Sequence, residues 1–276
     1  MKFKIIVDSS SNLKNSDFRN ENIDFSVVPL TIRIDDKEYI DDDNLDAKEM
    51  LNNMEKSKTK SSTSCPSPSQ FLNELEGSEY YFIFTISKKL SGVFNSATVA
   101  REMSSNKENI VVIDSLLTSG AIELLVRETI KEIKDNKSFE EIKNNLENFK
   151  KNIYLFFVLD KFDNLVKNGR INKALAFIAN LANIKPLCVG EDGEIKIKEK
   201  IRSLQGVYKR IVAYIKSVCD DVSNRILIIS HTECRENAEI LKKIIEENYN
   251  FKEIIIKENK GLCSFYSERG GIICTF

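Results

Sequence analysis

Three apolar runs in the first half of the chain each lead into a polar loop, and helical patterns alternate with them. The runs are FKIIV (3–7), YYFIFTI (80–86) and IVVID (110–114). Their length and composition are typical of buried strands. A Ser-Gly turn opens a helical pattern after the second run, and another helix is predicted up to about residue 134. This alternation predicts an α/β fold with a Rossmann-like parallel sheet.

The second half of the chain has a different pattern. The apolar run IYLFFVL (153–159) precedes two short helical pieces around NGRI (168–171). The elements predicted after them are a hairpin through Asp192-Gly193 (184–201), a helix (203–221), a strand (225–230), a helix (236–248), a strand (252–256) and a C-terminal strand. We therefore predict a second α/β domain with a mixed sheet, so that the two domains cover residues 1–150 and 151–276, with a cleft between them.

Composition excludes several classes of partner. The formal net charge is −1, from 41 basic and 42 acidic side chains, which argues against nucleic acid as the main partner. The longest apolar run is far shorter than the roughly 20 residues that span a bilayer, so no integral membrane span is expected. No basic segment followed by an apolar one opens the chain, and we expect a cytoplasmic protein.

The cysteines do not indicate disulfides or a metal site. The six cysteines lie far apart, without a C-x-x-C pair, and His231 is the single histidine. In a chain of this length without an export signal, they are expected to be reduced thiols. We expect neither a metal nor another cofactor.

Hydroxyl-rich loops form the first candidate site. In parallel sheets, ligands bind beyond the carboxyl ends of the strands, where this chain has Asp8-Ser9-Ser10, Ser91-Gly92 and residues 115–120. The segment KSSTSCPSPSQF (60–71) supplies further hydroxyls. Taken singly, each hydroxyl is better explained as a helix cap. If the loops converge, they provide neutral donors that suit a single carboxylate on an apolar body better than a polyphosphate, because no GxxxxGK[ST] segment is present.

The same loops offer little for catalysis. There is no G-x-S-x-G segment, and the only candidate base for a serine triad, His231, ends a predicted strand. Asp8 and Asp114 are better explained as acceptors of loop N–H bonds than as Mg²⁺ ligands. We therefore favour a binding protein without catalytic activity of its own. The alternative is an enzyme that acts on a small carboxylated or phosphorylated metabolite at these loops.

A series of segments, in this order along nearly the whole chain, resembles the DegV family of bacterial fatty-acid-binding proteins. This family includes the FakB subunits of fatty acid kinase. Cys65 stands where the family signature T-S-Q-P-S has Gln. The segments that carry the resemblance are KIIVDSSSNL, TSCPSPSQF, ISKKLSGVFNSA, VIDSLLTSG and LVKNGRINKALAFIANLANIKPLCVGEDGEI.

The resemblance implies that two α/β domains enclose one long-chain fatty acid, such as palmitate, in a tunnel between them. The carboxylate would be held by Thr63 and Ser91, with Ser64 nearby. The candidate ligand-binding residues are Thr63, Ser64, Ser91, Gly92, Ser119 and Ser267.

The resemblance also implies a kinase partner that converts the bound carboxylate to an acyl phosphate. Arg170 and Arg202 occupy positions that carry arginines linked to docking and phosphoryl transfer in the family. The alternative for each is a surface salt bridge. Ser267 stands where the family has a histidine near the carboxylate, and Arg269 replaces a glycine. A serine can donate a hydrogen bond there, but it cannot act as a base.

Overall fold

Three β-sheets form the framework of the computed structural model, which describes residues 2–20, 22–171 and 184–276. The strands are β1 (Phe3–Asp8), β2 (Ile23–Val28), β3 (Thr31–Ile34), β4 (Lys37–Ile40), β5 (Ser62–Ser64), β6 (Tyr80–Thr85), β7 (Ile110–Asp114), β8 (Leu155–Val158), β9 (Lys185–Glu191), β10 (Glu194–Ile201), β11 (Ile226–His231), β12 (Glu253–Glu258) and β13 (Ile272–Thr275). The α-helices are α1 (Ala47–Lys56), α2 (Pro68–Leu72), α3 (Val93–Met103), α4 (Gly120–Lys134), α5 (Phe139–Phe149), α6 (Asp163–Lys167), α7 (Leu204–Val218), α8 (Arg235–Glu246) and α9 (Gly261–Ser267).

The predicted parallel sheet is confirmed. Its strand order is β2-β1-β6-β7, and every pair is parallel. All six residues of β1 are buried, as expected of a parallel strand covered on both faces. Because parallel strands end at the same edge, the loops that follow β1, β6 and β7 come together there.

The second half forms the predicted mixed sheet, in the order β10-β9-β8-β13-β11-β12. Strands β11 and β12 are parallel, and the other neighbours are antiparallel. The hairpin between β9 and β10 turns at Asp192 and Gly193, with φ angles of 53° and 82°. Both angles are left-handed, as a two-residue hairpin turn requires. Of the two helical pieces predicted around NGRI, the first corresponds to α6, and the second lies outside the described residues.

A small antiparallel sheet, β4-β3-β5, is not predicted from the sequence. Strand β5 comes from the middle of the hydroxyl-rich segment, where Thr63 pairs with Ile32. A strand of three residues is too short to show a two-residue period. A capping box precedes α2, since the backbone N–H of Ser67 donates to Oε1 of Gln70 over 2.9 Å. The helix ends at Leu72.

Helix α4 lies between the parallel and mixed sheets. One hydrophobic cluster contains Phe82 and Leu125 from the first half together with Phe157 and Ile228 from the second. Gly120, the first residue of α4, contacts β11 and β13 directly. The other face of the mixed sheet is covered by α7 and α8. The predicted domain boundary after residue 150 therefore stays a prediction, since this core continues across it.

Buried carboxylates hold the loops at the carboxyl edge of the parallel sheet. Asp8 accepts hydrogen bonds from the backbone N–H groups of Ser10 (2.9 Å) and Ile86 (2.6 Å). Asp114 accepts one from the N–H of Leu116 over 2.9 Å. Both aspartates thus act as acceptors of loop N–H bonds, as the sequence predicts. The bond to Ile86 joins the loops after β1 and β6.

Burial raises the pKa of Asp8 to about 6, although the hydrogen bonds from Ser10 and Ile86 oppose the shift. Asp41 lies in the same region and adds a repulsion that raises this pKa further. The Asp41 carboxylate accepts the N–H groups of Gly261 and Leu262 at the start of α9. Burial raises its pKa as well, against these bonds.

The replacement Gly120→Ala should destabilise the fold by about 1–3 kcal/mol, because overpacking forces the backbone to move. A Cβ at position 120 would lie 3.0 Å from Cβ of Ile228 and 3.1 Å from Cβ of Thr275. Neither atom can rotate away. Urea denaturation measures the free energy of unfolding, and Lys134→Ala, on the exposed end of α4, is the control. A Gly120→Ala variant as stable as the parent would contradict this tight contact.

The stability of the parent relative to an Asp8→Asn variant should depend on pH. A raised folded-state pKa means that Asp8 contributes stability below pH ~4 and loses this contribution as the pH rises through about 6. The parent should therefore lose about 3 kcal/mol relative to the variant over this interval. Urea denaturation at a series of pH values measures the difference. The hydrogen bond that Asn cannot accept adds only a constant offset, so a flat difference would refute the raised pKa.

Candidate ligand-binding cavity

A cavity lies between the carboxyl edge of the parallel sheet and the inner face of the mixed sheet. The space free of protein atoms, with the solvent at its mouth included, is about 830 Å³. Only about 90 Å³ can hold the centre of a water molecule, so the cavity is narrow. Its lining comprises Leu30, Thr63, Ile86, Leu90, Ser91, Leu116, Leu117, Thr118, Leu155, Phe157, Leu159, Leu165, Arg170, Gly190, Gly193, Glu194, Ile195, Leu262, Cys263, Tyr266, Ser267 and Ile273.

The apolar wall is built by the two-residue period of β8. Leu155, Phe157 and Leu159 are alternate residues and point to the same side, where all three line the cavity. Ile273 of β13 pairs with Phe157 and extends this wall across the sheet. The residues between them, Phe156 and Val158, face the opposite core with α7 and α8. The mixed sheet thus presents a continuous apolar surface to the cavity.

Polar groups gather in one region of the cavity. The hydroxyl of Thr63 lies 2.8 Å from the hydroxyl of Tyr266. The guanidinium carbon of Arg170 lies 6.0 Å from the centre of the Tyr266 ring, and its Nε donates to the carbonyl of Leu90 over 3.0 Å. Ser91 is the next residue after Leu90. The structure therefore brings Thr63, Ser91 and Arg170 to one cavity, and their roles in binding and docking stay predictions.

Tyr266 is a site residue that the sequence interpretation missed. It packs edge-on against Phe265, with 4.9 Å between the ring centres, and this places its hydroxyl beside Thr63. A signal existed, because Tyr266 immediately precedes Ser267 in the C-terminal segment that resembles the family motif.

Ser267 lines the cavity, but its hydroxyl is engaged in a buried network. It donates to the carbonyl of Cys263 over 2.6 Å and lies 2.6 Å from the hydroxyl of Thr232. Asn259 approaches the same two hydroxyls, at 3.0 Å from Thr232 and 3.4 Å from Ser267. Burial raises the pKa of the Cys263 thiol to about 12. Ser267 thus closes the last turn of α9 from inside the protein.

Ser119 belongs to this network and not to the cavity lining. Its hydroxyl accepts a hydrogen bond from Nδ2 of Asn12 over 3.0 Å and lies 3.2 Å from the hydroxyl of Ser230. Asn12 also donates to Oδ1 of Asn259, which connects Ser119 to the Ser267 hydroxyl. Ser119 is therefore placed to join the two halves of the chain.

Three other candidate residues lie away from the cavity lining. Ser64 is exposed on β5, and Gly92 is exposed as the residue before α3. A Cβ on Gly92 would lie 3.3 Å from Sγ of Cys65. Arg202 is exposed in the turn between β10 and α7. The roles of these residues in binding stay predictions.

In the parts of the chain that the structure describes, no three His, Cys, Asp or Glu side chains are grouped as metal ligands. Among the helices of residues 2–20, 22–171 and 184–276, none has the length and apolar character needed to cross a membrane.

Comparison with known proteins places the chain in a family. A family model described as "uncharacterised protein, DegV family" matches residues 2–274. A DegV domain-containing protein from Streptococcus gordonii is 34% identical over 277 residues, covering 99% of this chain and 98% of that protein.

Two crystal structures are similar along the whole chain. The fatty acid kinase (Fak) B3 protein of Streptococcus pneumoniae, loaded with linoleic acid, has a TM-score of 0.93 and 31% identity, covering 100% of this chain and 99% of that one.

The second structure is a DegV family protein from Eubacterium eligens loaded with heptadecanoic acid. Its TM-score is 0.91 at 29% identity, with 99% of this chain and 98% of that chain covered. These structures have the α/β architecture described above, which confirms the predicted fold class. The matches extend over almost the entire sequence, as did the resemblance of its segments. The chain belongs to the DegV family.

Proposed function

We propose that this protein binds one long-chain fatty acid and presents its carboxylate to a fatty acid kinase subunit. The observation that carries the proposal is a narrow cavity with an apolar wall along β8 and with Thr63, Ser91, Tyr266 and Arg170 in one region. The fatty acids in the two similar crystal structures support the same ligand class.

The acyl chain supplies most of the affinity in this proposal. Burial of some 14 to 17 methylenes contributes on the order of 0.8 kcal/mol each, or about 11–14 kcal/mol before the costs of association. The surface that receives them consists of side chains such as Leu155, Phe157 and Ile273, which have no polar atoms to desolvate. Affinity therefore does not require a strong ion pair at the head group.

The carboxylate must still replace its lost hydration. Charge-assisted hydrogen bonds contribute about 1.5–3 kcal/mol each, and the hydroxyls of Thr63, Ser91 and Tyr266 are the donors we assign to it. Arg170 lines the same cavity and adds positive charge, so the head group is not met by neutral donors alone. Its bond to the Leu90 carbonyl fixes the guanidinium beside Ser91.

The alternative, an enzyme that acts on a small carboxylated or phosphorylated metabolite, is not favoured by any observation. A phosphate needs several charged donors, and its small body would leave the leucine-rich wall without a partner. A monocarboxylate with a long apolar chain matches both parts of the lining.

The second part of the proposal is a division of labour with a kinase. The protein holds the fatty acid, whose carboxylate is the nucleophile, and has no catalytic activity of its own. The kinase supplies ATP and the groups that transfer the phosphoryl group. We assign Arg170, at the polar region of the cavity, and the exposed Arg202 to contact with that subunit. The proposal places the protein in the cytoplasm, where a kinase finds ATP.

Protein purified from cells under gentle conditions should carry a fatty acid. Native mass spectrometry should show an added mass within the range of common long-chain fatty acids, and denaturation should remove it. Organic extraction then identifies the acid. A protein that carries no lipid, and that takes up none when delipidated and mixed with fatty acid, would overturn the proposal.

The double replacement Thr63→Ala/Ser91→Ala should weaken fatty acid binding more than about tenfold, because two charge-assisted hydrogen bonds are lost. Ser64→Ala is the matched control, since Ser64 is a hydroxyl residue adjacent to Thr63 but exposed and outside the lining. Displacement of a fluorescent fatty acid gives the affinities, and thermal unfolding checks the fold. Equal affinities for the double variant and the control would place the carboxylate elsewhere.

A further inference from the structure

Gly190 leaves a gap in a row of side chains that faces the cavity. On β10, Ile195 is its direct partner. On β8, Leu155 is its neighbour, because a Cβ at position 190 would lie 3.7 Å from Cβ of Leu155. Both neighbours line the cavity, as does Gly190 itself. Residues opposite one another in a sheet point to the same face, so a larger residue at position 190 would complete the row.

Leu117 occupies this gap from the opposite wall. It belongs to the loop after β7, at the edge of the parallel sheet, and is 6% exposed. A Cβ at position 190 would lie 2.4 Å from Cδ2 of Leu117. Real side chains do not approach so closely. The leucine can therefore hold this position only while residue 190 has no side chain.

The backbone of Leu117 is fixed, so only its side chain can yield. Its carbonyl accepts hydrogen bonds from the N–H of Ser87 (2.8 Å) and the hydroxyl of Ser115 (3.0 Å). Its own N–H donates to Oγ of Ser115 over 3.2 Å. Both serines are fully buried. A methyl group at position 190 would displace the tip of Leu117, and the free space beside it is the cavity.

This contact lies at the opposite end of the β8 wall from Ser267, the residue that follows Tyr266. Leu159 lies beside Gly271 and Ser267 at the other end of the β8 wall. Four residues of extended chain, about 13 Å, separate Leu159 from Leu155. Leu117 and Gly190 adjoin Leu155 at the opposite end of this wall.

We propose that the contact between Gly190 and Leu117 sets the length of acyl chain that the cavity accepts. The inference rests on the proposed function, because it assumes that the cavity binds a fatty acid. Gly190 allows Leu117 to withdraw from the cavity into the sheet, and this withdrawal leaves room for the last methylenes of a long chain. The pair is a specificity-determining element.

The test uses delipidated full-length protein and an equimolar mixture of myristate and stearate. Bound acids are extracted and quantified by gas chromatography. Gly190→Ala should lower the ratio of bound stearate to myristate about tenfold, because each methylene that loses burial costs a factor of about four. Leu117→Ala, which enlarges the same place, should raise this ratio. In the double variant, the methyl group at position 190 meets no leucine side chain at position 117. The ratio of bound stearate to myristate should therefore lie within about threefold of that of Leu117→Ala.

Leu165→Ala is the control for a general enlargement. Leu165 lines the cavity beside Arg170, whose backbone N–H donates to its carbonyl over 2.8 Å. This variant should bind both acids less tightly and leave their ratio unchanged. Unchanged ratios in Gly190→Ala and Leu117→Ala would overturn the inference while uptake by the parent would preserve the proposed function. If the parent binds neither acid, the proposed function fails. If Gly190→Ala does not fold, the Leu117→Ala ratio decides.

Discussion

The mixed sheet covers the carboxyl edge of the parallel sheet, so the loops that leave this edge turn inside the protein. Buried backbone groups must find partners there. Asp8 satisfies two of them and Ser115 satisfies the carbonyl and N–H of Leu117. The hydroxyl of Ser87 donates to the carbonyl of Gly193 over 2.7 Å and so anchors the hairpin of the mixed sheet to a loop of the parallel one. The cavity exists because these bonds hold two sheets together around a space that side chains do not fill.

The same requirement explains the abundance of hydroxyls. Most of them satisfy buried backbone or form the network of Asn12, Ser119 and Asn259. Only a few, such as Thr63 and Ser91, line the cavity. Helix and loop stabilisation is therefore the right explanation for most of these residues taken singly, and ligand contact is proposed for a minority.

An unfilled apolar cavity also lowers stability, because its lining lacks contact partners. Ligand binding would restore these contacts, so it would be linked to the stability of the whole fold.

The sequence predicts the parts of this structure that depend on local pattern. Buried apolar runs give β1, β6 and β7, and the Asp-Gly turn gives the β9–β10 hairpin. Strand β5 escapes prediction because its three residues depend on pairing with β3, which is a tertiary event. Thr63 and Arg170 were assigned through the family resemblance, since neither has a local signature. Tyr266 was missed because its role depends on contacts with residues about 100 and 200 positions earlier. The contact of Gly190 with Leu117 likewise joins a strand and a loop that no local pattern relates.

The two departures from the family motif have different consequences in this structure. Arg269, in place of a glycine, binds Glu55 and Asn52 of α1 and Glu233 of the loop after β11, so it ties three segments together at the end of α9. Ser267 stands in place of a histidine, and its hydroxyl is hydrogen-bonded to the carbonyl of Cys263 and to the hydroxyl of Thr232. The first change adds contacts between segments outside the cavity lining, and the second removes a side chain that could exchange a proton. Lipid binding depends on the wall, whereas phosphoryl transfer depends on groups at the carboxylate. Under the proposed function the two activities can therefore separate: lipid binding uses the apolar wall, and we assign the transfer step to Arg170 and to the partner's own residues.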